Sequence, residues 1–234
     1  MTGTAPMTDV AWPGTVAEAE AVQDRLRPLA DLVGPGPAQP RTIAGLDVAY
    51  AEDGDRLAAA VTVLDARTLA VLETAVSIGR AAFPYVPGLF AFRELPALLD
   101  ALGRLTTTPE LLVCDGHGLA HPRRFGLACH LGVLTGLPAI GVGKTPLVGR
   151  WDPPAEQRGA WTALRDGSET VGRVLRTRDG TKPVFVSVGH RMGLDNACAQ
   201  VLALTPRYRL PETTRQADRL CRLALGRTRS SDLE

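Results

Sequence analysis

The sequence predicts an α/β fold in which a mixed sheet is flanked by helices, and two patterns carry that prediction. Three β-rich stretches follow one another between residues 42 and 78 with only short turns between them, the pattern of an antiparallel meander. After them helical and strand-like segments alternate, and a short apolar run arriving after a helix implies a crossover into parallel pairing. The composition agrees. At 45% hydrophobic and 22% charged, the 234-residue chain lies far from the charge-rich composition that keeps chains unfolded. A chain of this length buries most of its apolar surface without disulfides.

Taken in order, Thr15 and Glu18 make a capping-box start for a helix running to about Asp31, and the Gly34-Pro35-Gly36-Pro37 run ends it. The meander strands are TIAGLDVAY from Thr42, LAAAVTVLD after the acidic Glu52-Asp53-Gly54-Asp55 turn, and LAVLETAVSI. Beyond the loop Pro84-Tyr85-Val86-Pro87-Gly88, the stretch Leu89 to Leu102 has helical spacing, and the apolar run Leu111 to Cys114 follows it. The remainder predicts a helix near Pro122 to Leu134 and a strand at Ala139 to Val142. Two further strands are expected at Val171 to Arg176 and Val184 to Val188, then helices near Leu194 to Leu204 and Thr213 to Leu225. Trp151 to Gly167, with Asp152-Pro153-Pro154, reads as an irregular excursion. No repeat and no linker composition divides the chain, so one domain over residues 1–234 is expected, with a flexible leader at 1–14 and a flexible tail at 226–234.

Charge and cysteine usage narrow the function classes. Twenty-six basic against twenty-five acidic side chains leave a net charge of +1, which excludes a global cationic field for holding a polyanion. Cys114, Cys129, Cys198 and Cys221 form no C-x-x-C pair, so zinc-ribbon and dithiol chemistry are disfavoured and a reduced, cytoplasmic chain is expected. The N-terminal sequence lacks a basic stretch followed by an apolar core, and no apolar run is long enough to span a bilayer. Of the basic residues only Lys144 and Lys182 are lysines.

The chemistry concentrates in a few carboxylates and their surroundings. Asp47 interrupts an otherwise apolar strand, and Asp115 directly follows the run Leu111 to Cys114, where a parallel strand ends and where ligands collect in such sheets. Glu94 lies early on the intervening helix. An acid on the first strand, one on that helix and one ending the fourth strand can converge on one edge, and three oxygen donors suit Mg²⁺ or Mn²⁺ better than zinc. Taken singly, Asp115 also reads as a turn or capping residue and Glu94 as a surface acid beside Arg93. In Asp115-Gly116-His117-Gly118-Leu119-Ala120-His121-Pro122-Arg123-Arg124, two glycines bracket a histidine, so a ligand can approach the backbone closely. His117 and His121 lack the Glu of an H-E-x-x-H zinc motif, and His130 reads equally as a core imidazole. Residues 121–150 carry Arg123, Arg124, Lys144 and Arg150 with no acid, a flank suited to a phosphate backbone. Lys144 follows a strand as a P-loop lysine does, but Pro138 stands where that loop needs glycine. Its alternative role is a point charge beside a scissile phosphate.

Six stretches, IAGLDVAY, FPYVPGLFAFRELPALL, CDGHGLAHPRRFGLACHLG, IGVGK and, more loosely, SVGHRMGLDNA with RLPETTRQAD, run in order from Ile43 to Asp218. With them the chain resembles the endonuclease V family of deoxyinosine-directed repair nucleases. The resemblance implies an RNase H-like fold and a Mg²⁺ site, with Mn²⁺ able to substitute, formed by Asp47, Glu94 and Asp115. It further implies that His121, Lys144 and His190 lie close by to assist water activation, charge stabilisation or leaving-group protonation. Pro84-Tyr85-Val86-Pro87 matches the family's strand-separating wedge, with Tyr85 filling the space of the extruded base. Gly88, Gly116 and Gly118 would line the base pocket and Arg123 would hold substrate. The implied partner is DNA carrying deoxyinosine or other deaminated bases, nicked at the second phosphodiester bond 3′ to the lesion, with inosine-containing RNA as the near alternative. A lesion-binding module with structural carboxylates is the rival of a different class. Thr213 and Gln216 vary the C-terminal motif, and Gly143 stands where alanine is as common.

Overall fold

The computed structural model of the chain describes residues 12–52 and 54–231, with side chains described as far as residue 226. Asp53 of the acidic turn, residues 1–11 of the expected leader and residues 232–234 of the expected tail lie outside the described residues. The strands of the meander are β1 (Thr42–Tyr50), β2 (Arg56–Asp65) and β3 (Val71–Arg80), and the crossover strand after them is β4 (Leu111–Cys114). Beyond it lie β5 (Ala139–Gly143), β6 (Trp161–Asp166), β7 (Glu169–Leu175) and β8 (Val184–His190). They form one eight-stranded sheet of order β3-β2-β1-β4-β5-β8-β7-β6. β1, β4 and β5 run parallel at its centre, and every other pairing is antiparallel.

Two layers of helix cover the sheet, and strand alternation decides which residue meets which layer. On one face Ala44, Leu46, Leu112 and Cys114 pack against α2 (Ala91–Gly103) and α3 (Leu127–Thr135). On the other, Ile43, Leu111, Val113, Ile140 and Val142 meet α4 (Leu194–Ala203), while Ala49, Ala58 and Ala60 meet α5 (Glu212–Ser231) through Ala217 and Cys221. The small residues let α5 lie close. At Gly45 the approach is closest, because a Cβ there would stand 2.2 Å from the carbonyl carbon and oxygen of Thr213.

The N-terminal helix α1 (Val16–Leu26) opens on the expected capping box, with the Glu18 amide bonded to Thr15 Oγ1 and the Thr15 amide to Glu18 Oε2. It ends in a 3₁₀ turn, Arg27–Leu29, short of Asp31. Of the residues assigned to a leader, Trp12 is well anchored. Pro96, inside α2, has no N–H to give the carbonyl four residues back, and the Trp12 indole N–H donates to that Phe92 carbonyl at 3.0 Å. At the other end α5 continues through residues 226–231, where a tail was expected. Two more expectations shift. α3 starts at Leu127 rather than Pro122, because Arg124 adopts φ +56° and residues 119–126 form successive turns instead. The stretch read as an irregular excursion contains β6, paired with β7 across a two-residue turn at Gly167 and Ser168.

Candidate active site

Asp47 and Asp115 are neighbours because β1 and β4 are parallel neighbours. Leu46 pairs with Cys114, and each acid is the next residue along; the Asp115 amide continues the ladder to the Leu46 carbonyl at 3.2 Å. Alternation turns both toward the face that α5 covers. Lys144, one residue beyond β5, shares that parity with Ile140 and Val142, and its ammonium donates to Asp115 Oδ2. Glu94 comes from α2 on the opposite face. It is only 5% exposed, and its Oε1 accepts from the Tyr50 hydroxyl at 3.2 Å. Arg93, its neighbour in sequence, points elsewhere: it donates to the carbonyls of Phe83 and Gly54, and its guanidinium lies over the Tyr50 ring. The surface-acid reading of Glu94 therefore fails.

The electrostatics follow from burial of like charges. Burial raises the Asp47 carboxyl to about 8, the Asp115 carboxylate adding to the shift and the Lys144 ammonium opposing it. Burial likewise raises Glu94 to about 8, the Tyr50 hydroxyl working the other way. At Lys144 burial disfavours the charge, but Asp115, Asp47 and Asp218 outweigh it and the pKa is raised. The ammonium is thus firmly protonated, while burial holds the Asp47 and Glu94 carboxyls above the usual carboxylate range.

The expected wedge has a rigid base. Pro87 and Gly88 occupy the centre of a turn closed by the Leu89 amide on the Val86 carbonyl at 2.9 Å, with Gly88 at φ +81°, the type II geometry that requires glycine. Tyr85 beside it is 69% exposed, its ring meeting Phe90 edge-on at 5.9 Å. His121, from the segment between β4 and α3, packs against this turn. Its Nδ1 accepts from the Arg123 amide and its ring bonds the Gly88 backbone, while burial lowers it to about 4, so the imidazole is neutral. A Cβ on Gly88 would touch nothing closer than His121 Cε1 at 4.0 Å, and one on Gly116 would make only ordinary contact with Leu127. Neither glycine is fixed by a close approach of its neighbours; each is set by its positive φ.

Three expected residues are placed elsewhere. Gly118 is packed against β8, where a Cβ would lie 2.1 Å from the Val188 carbonyl oxygen; its amide donates to Ser187 Oγ and its carbonyl accepts from Gly126. Arg123 is paired with Asp24 at 2.7 Å and Glu20 at 3.8 Å, tying α1 to the loop. Arg124 is likewise paired, with Asp166 and Glu169, so most of the expected basic flank is neutralised. His190 is the clearest departure. It faces Ala139 at the start of β5, whereas Lys144 follows its end, about 16 Å along the strand, and its Nδ1 accepts from the Asp31 amide at 3.1 Å.

One functional candidate escaped sequence reasoning. Asp218 on α5 acts electrostatically on both Asp47 and Lys144, and it lines a cleft of about 340 Å³ with Asp115, Lys144, Thr214, Arg215 and Arg219. The signal was present in RLPETTRQAD, whose last residue it is. Among the described residues no three His, Cys, Asp or Glu side chains are gathered tightly enough to form a coordination cluster; the Lys144 ammonium lies against Asp115 instead. The donor chemistry nonetheless fits a hard divalent cation, since the site offers carboxylate oxygens whose ionised forms burial penalises.

A mixed sheet of this order, with acids on its first strand, its first crossover helix and the end of its fourth strand, is RNase H-like, the class of fold to which nucleases with carboxylate sites belong. The family model described as Endonuclease V matches residues 29–219, and the chain belongs to that family. Endonuclease V of Streptomyces coelicolor is 60% identical over 227 residues, covering 96% of this chain and 97% of that protein. The crystal structure of the Streptomyces avermitilis endonuclease V superposes with a TM-score of 0.90 at 57% identity, covering 93% and 96%. The Ciona intestinalis endonuclease V, in complex with a 24mer DNA containing an inosine followed by a ribo-adenosine, shares the fold at 23% identity and a TM-score of 0.79, covering 91% and 98%. The family implies a metal ion. Among the described residues no helix is long and apolar enough to cross a membrane.

Proposed function

We propose that the protein is a Mg²⁺-dependent endonuclease that recognises deoxyinosine in DNA and hydrolyses the second phosphodiester bond on the 3′ side, leaving the base in place. The observation that carries this reading is the pairing of Asp47 and Asp115 on adjacent parallel strands, with Lys144 donating to Asp115. Asp47, Glu94 and Asp115 would hold the ion, with Asp218 beside Asp47, and Mn²⁺ shares the donor preference. When bound, the ion supplies Lewis acidity and a more acidic water. Lys144 holds a fixed positive charge against the charge that develops on phosphate. Neutral His121 braces the Gly88 turn, from which the proline-bracketed Tyr85 enters the helix where an extruded base leaves space.

End-labelled duplexes with deoxyinosine or adenine at one position, each in Mg²⁺ or excess chelator, test the reading. The expected product is a nick one nucleotide beyond the lesion, in the inosine strand and only with Mg²⁺. Cleavage of an inosine-containing RNA but not of the DNA would reassign the substrate, and binding without a nick would reduce the protein to a recognition module.

A further inference from the structure

His117 is the residue of the DGHG segment that neither the acids nor the base pocket accounts for. Its ring meets the chain on both sides of Lys144. On one side it lies against Gly143, where an added Cβ would stand 2.3 Å from Cε1, 2.6 Å from Nε2 and 3.1 Å from Nδ1. On the other its Nε2 is 3.0 Å from the Thr145 carbonyl oxygen. A carbonyl only accepts, so Nε2 carries the proton, and Nδ1 is buried without a partner. The backbone of the same turn is fixed independently: the His117 carbonyl accepts from Ala128, and a Cβ on Gly141 would stand 2.8 Å from the His117 carbonyl carbon. One side chain, two residues beyond Asp115, therefore clasps residues 143 and 145, between which Lys144 reaches back to Asp115.

We infer that His117 is a positioning residue for Lys144, and that residues 117 and 143 are a coupled pair in which glycine is required because the imidazole occupies the space of a side chain. The ring does not touch the reacting atoms. It fixes where the strand after β5 releases the lysine, and so sets the separation of ammonium and carboxylate. This rests on the role given to Lys144 under the proposed function. A bare opening of the clasp leaves the acids and the sheet in place, so its effect belongs to the turnover step and not to DNA affinity. A displacement of about an ångström in such a group costs up to about a hundredfold in rate.

The chain has only two lysines, Lys144 and Lys182, so selective ¹³C-lysine labelling gives two Cε signals, one reporting the site and the other serving as an internal reference. His117→Ala and Gly143→Ala are expected to shift or broaden the Lys144 signal while Lys182 stays put, and His117→Gln, whose amide can still donate to Thr145, is expected to restore it. In single-turnover cleavage of the inosine duplex, His117→Ala should be about tenfold slower with DNA affinity unchanged, and His117→Gln should recover most of that loss. Gly143→Ala should lose activity with His117 present and less in the His117→Ala background. In a Lys144→Ala background the His117 substitution should add nothing, an outcome that a merely structural histidine does not give. His117→Phe keeps the volume without the donor and guards against a variant that simply unfolds. An unchanged Lys144 signal in His117→Ala and His117→Phe, or full additivity with Lys144→Ala, overturns the inference. A responsive Lys144 signal in a protein that leaves the inosine duplex intact sinks the substrate reading instead and sustains the positioning role.

Discussion

An acid in the middle of an apolar strand is costly, and Asp47 bears that out, since burial lifts its carboxyl to about 8. Its chemistry was legible because only one residue type breaks the TIAGLDVAY pattern, and Asp115 and Lys144 were legible because each directly follows an apolar strand. What the sequence hid were partners supplied over long chain separations. Arg123 and Arg124 read as a free basic flank until α1 and the β6–β7 hairpin brought acids to them. His190 read as a site histidine until the antiparallel register of β8 carried it to the wrong end of β5. For Asp47→Asn and Asp115→Asn we expect cleavage to fall by about a thousandfold or more with cooperative unfolding retained, measured by single-turnover cleavage beside thermal melts; turnover within tenfold of the parent in both would remove these acids from the chemistry. Tyr85 is exposed, so its loss leaves the core intact. Tyr85→Ala should reduce the preference for inosine over adenine duplexes without altering the Mg²⁺ titration, and equal discrimination by the variant would deny it the wedge role.

At the scale of elements, the strong local patterns were readable. β1 and β4 fall on the predicted stretches because a continuous β-rich or apolar run with turn residues at its ends leaves little choice. β6 was missed although Gly167-Ser168 is a hairpin signal, because Asp152-Pro153-Pro154 upstream drew the whole stretch into a loop. The start of α3 was missed because the left-handed Arg124 is set by its neighbours in space. The placement of α5 was the largest omission. Its sequence gives a helix, but only Gly45 on β1 shows how closely Thr213 must pass, and that approach delivers Asp218 to Asp47. Gly45→Ala is therefore expected to destabilise the fold by about 1–3 kcal/mol, as overpacking does, and to lower cleavage further by pushing the start of α5 outward. Gly79→Ala on β3, where a Cβ meets nothing within 4 Å, is the matched control. Comparable melting points for the two variants would show that the crossing at Gly45 has slack.

For the molecule as a whole, the buried acids make folding and ion binding opposing demands on the same side chains. Asp47 rises from 3.8 and Glu94 from 4.5, each to about 8, chiefly because burial penalises the ionised form. A raised folded-state pKa contributes stability that is fully present below the unfolded value, and it is lost as pH rises through the folded value. In chelator, the metal-free protein should thus lose stability from these two groups between about pH 4 and pH 8, with no further loss from them above that. Other carboxylates act in the opposite sense, Glu73 being held down to about 2 by the amides of Thr106 and Thr107, so the raw pH profile mixes both signs. Glu94→Gln separates them, because glutamine keeps an acceptor for Tyr50 and does not ionise. Parent and variant should melt together near pH 4.5, the variant should become progressively the more stable up to about pH 8, and the gap should then stay level. Adding Mg²⁺ at pH 8 should raise the parent more than the variant and close the gap, since the ion stabilises the ionised carboxylate that burial penalises. Thermal unfolding across pH 4.5–9, with and without Mg²⁺, reads all of this in one series. A gap that is constant with pH, or that Mg²⁺ leaves untouched, would mean that Glu94 neither bears the burial penalty nor meets the ion.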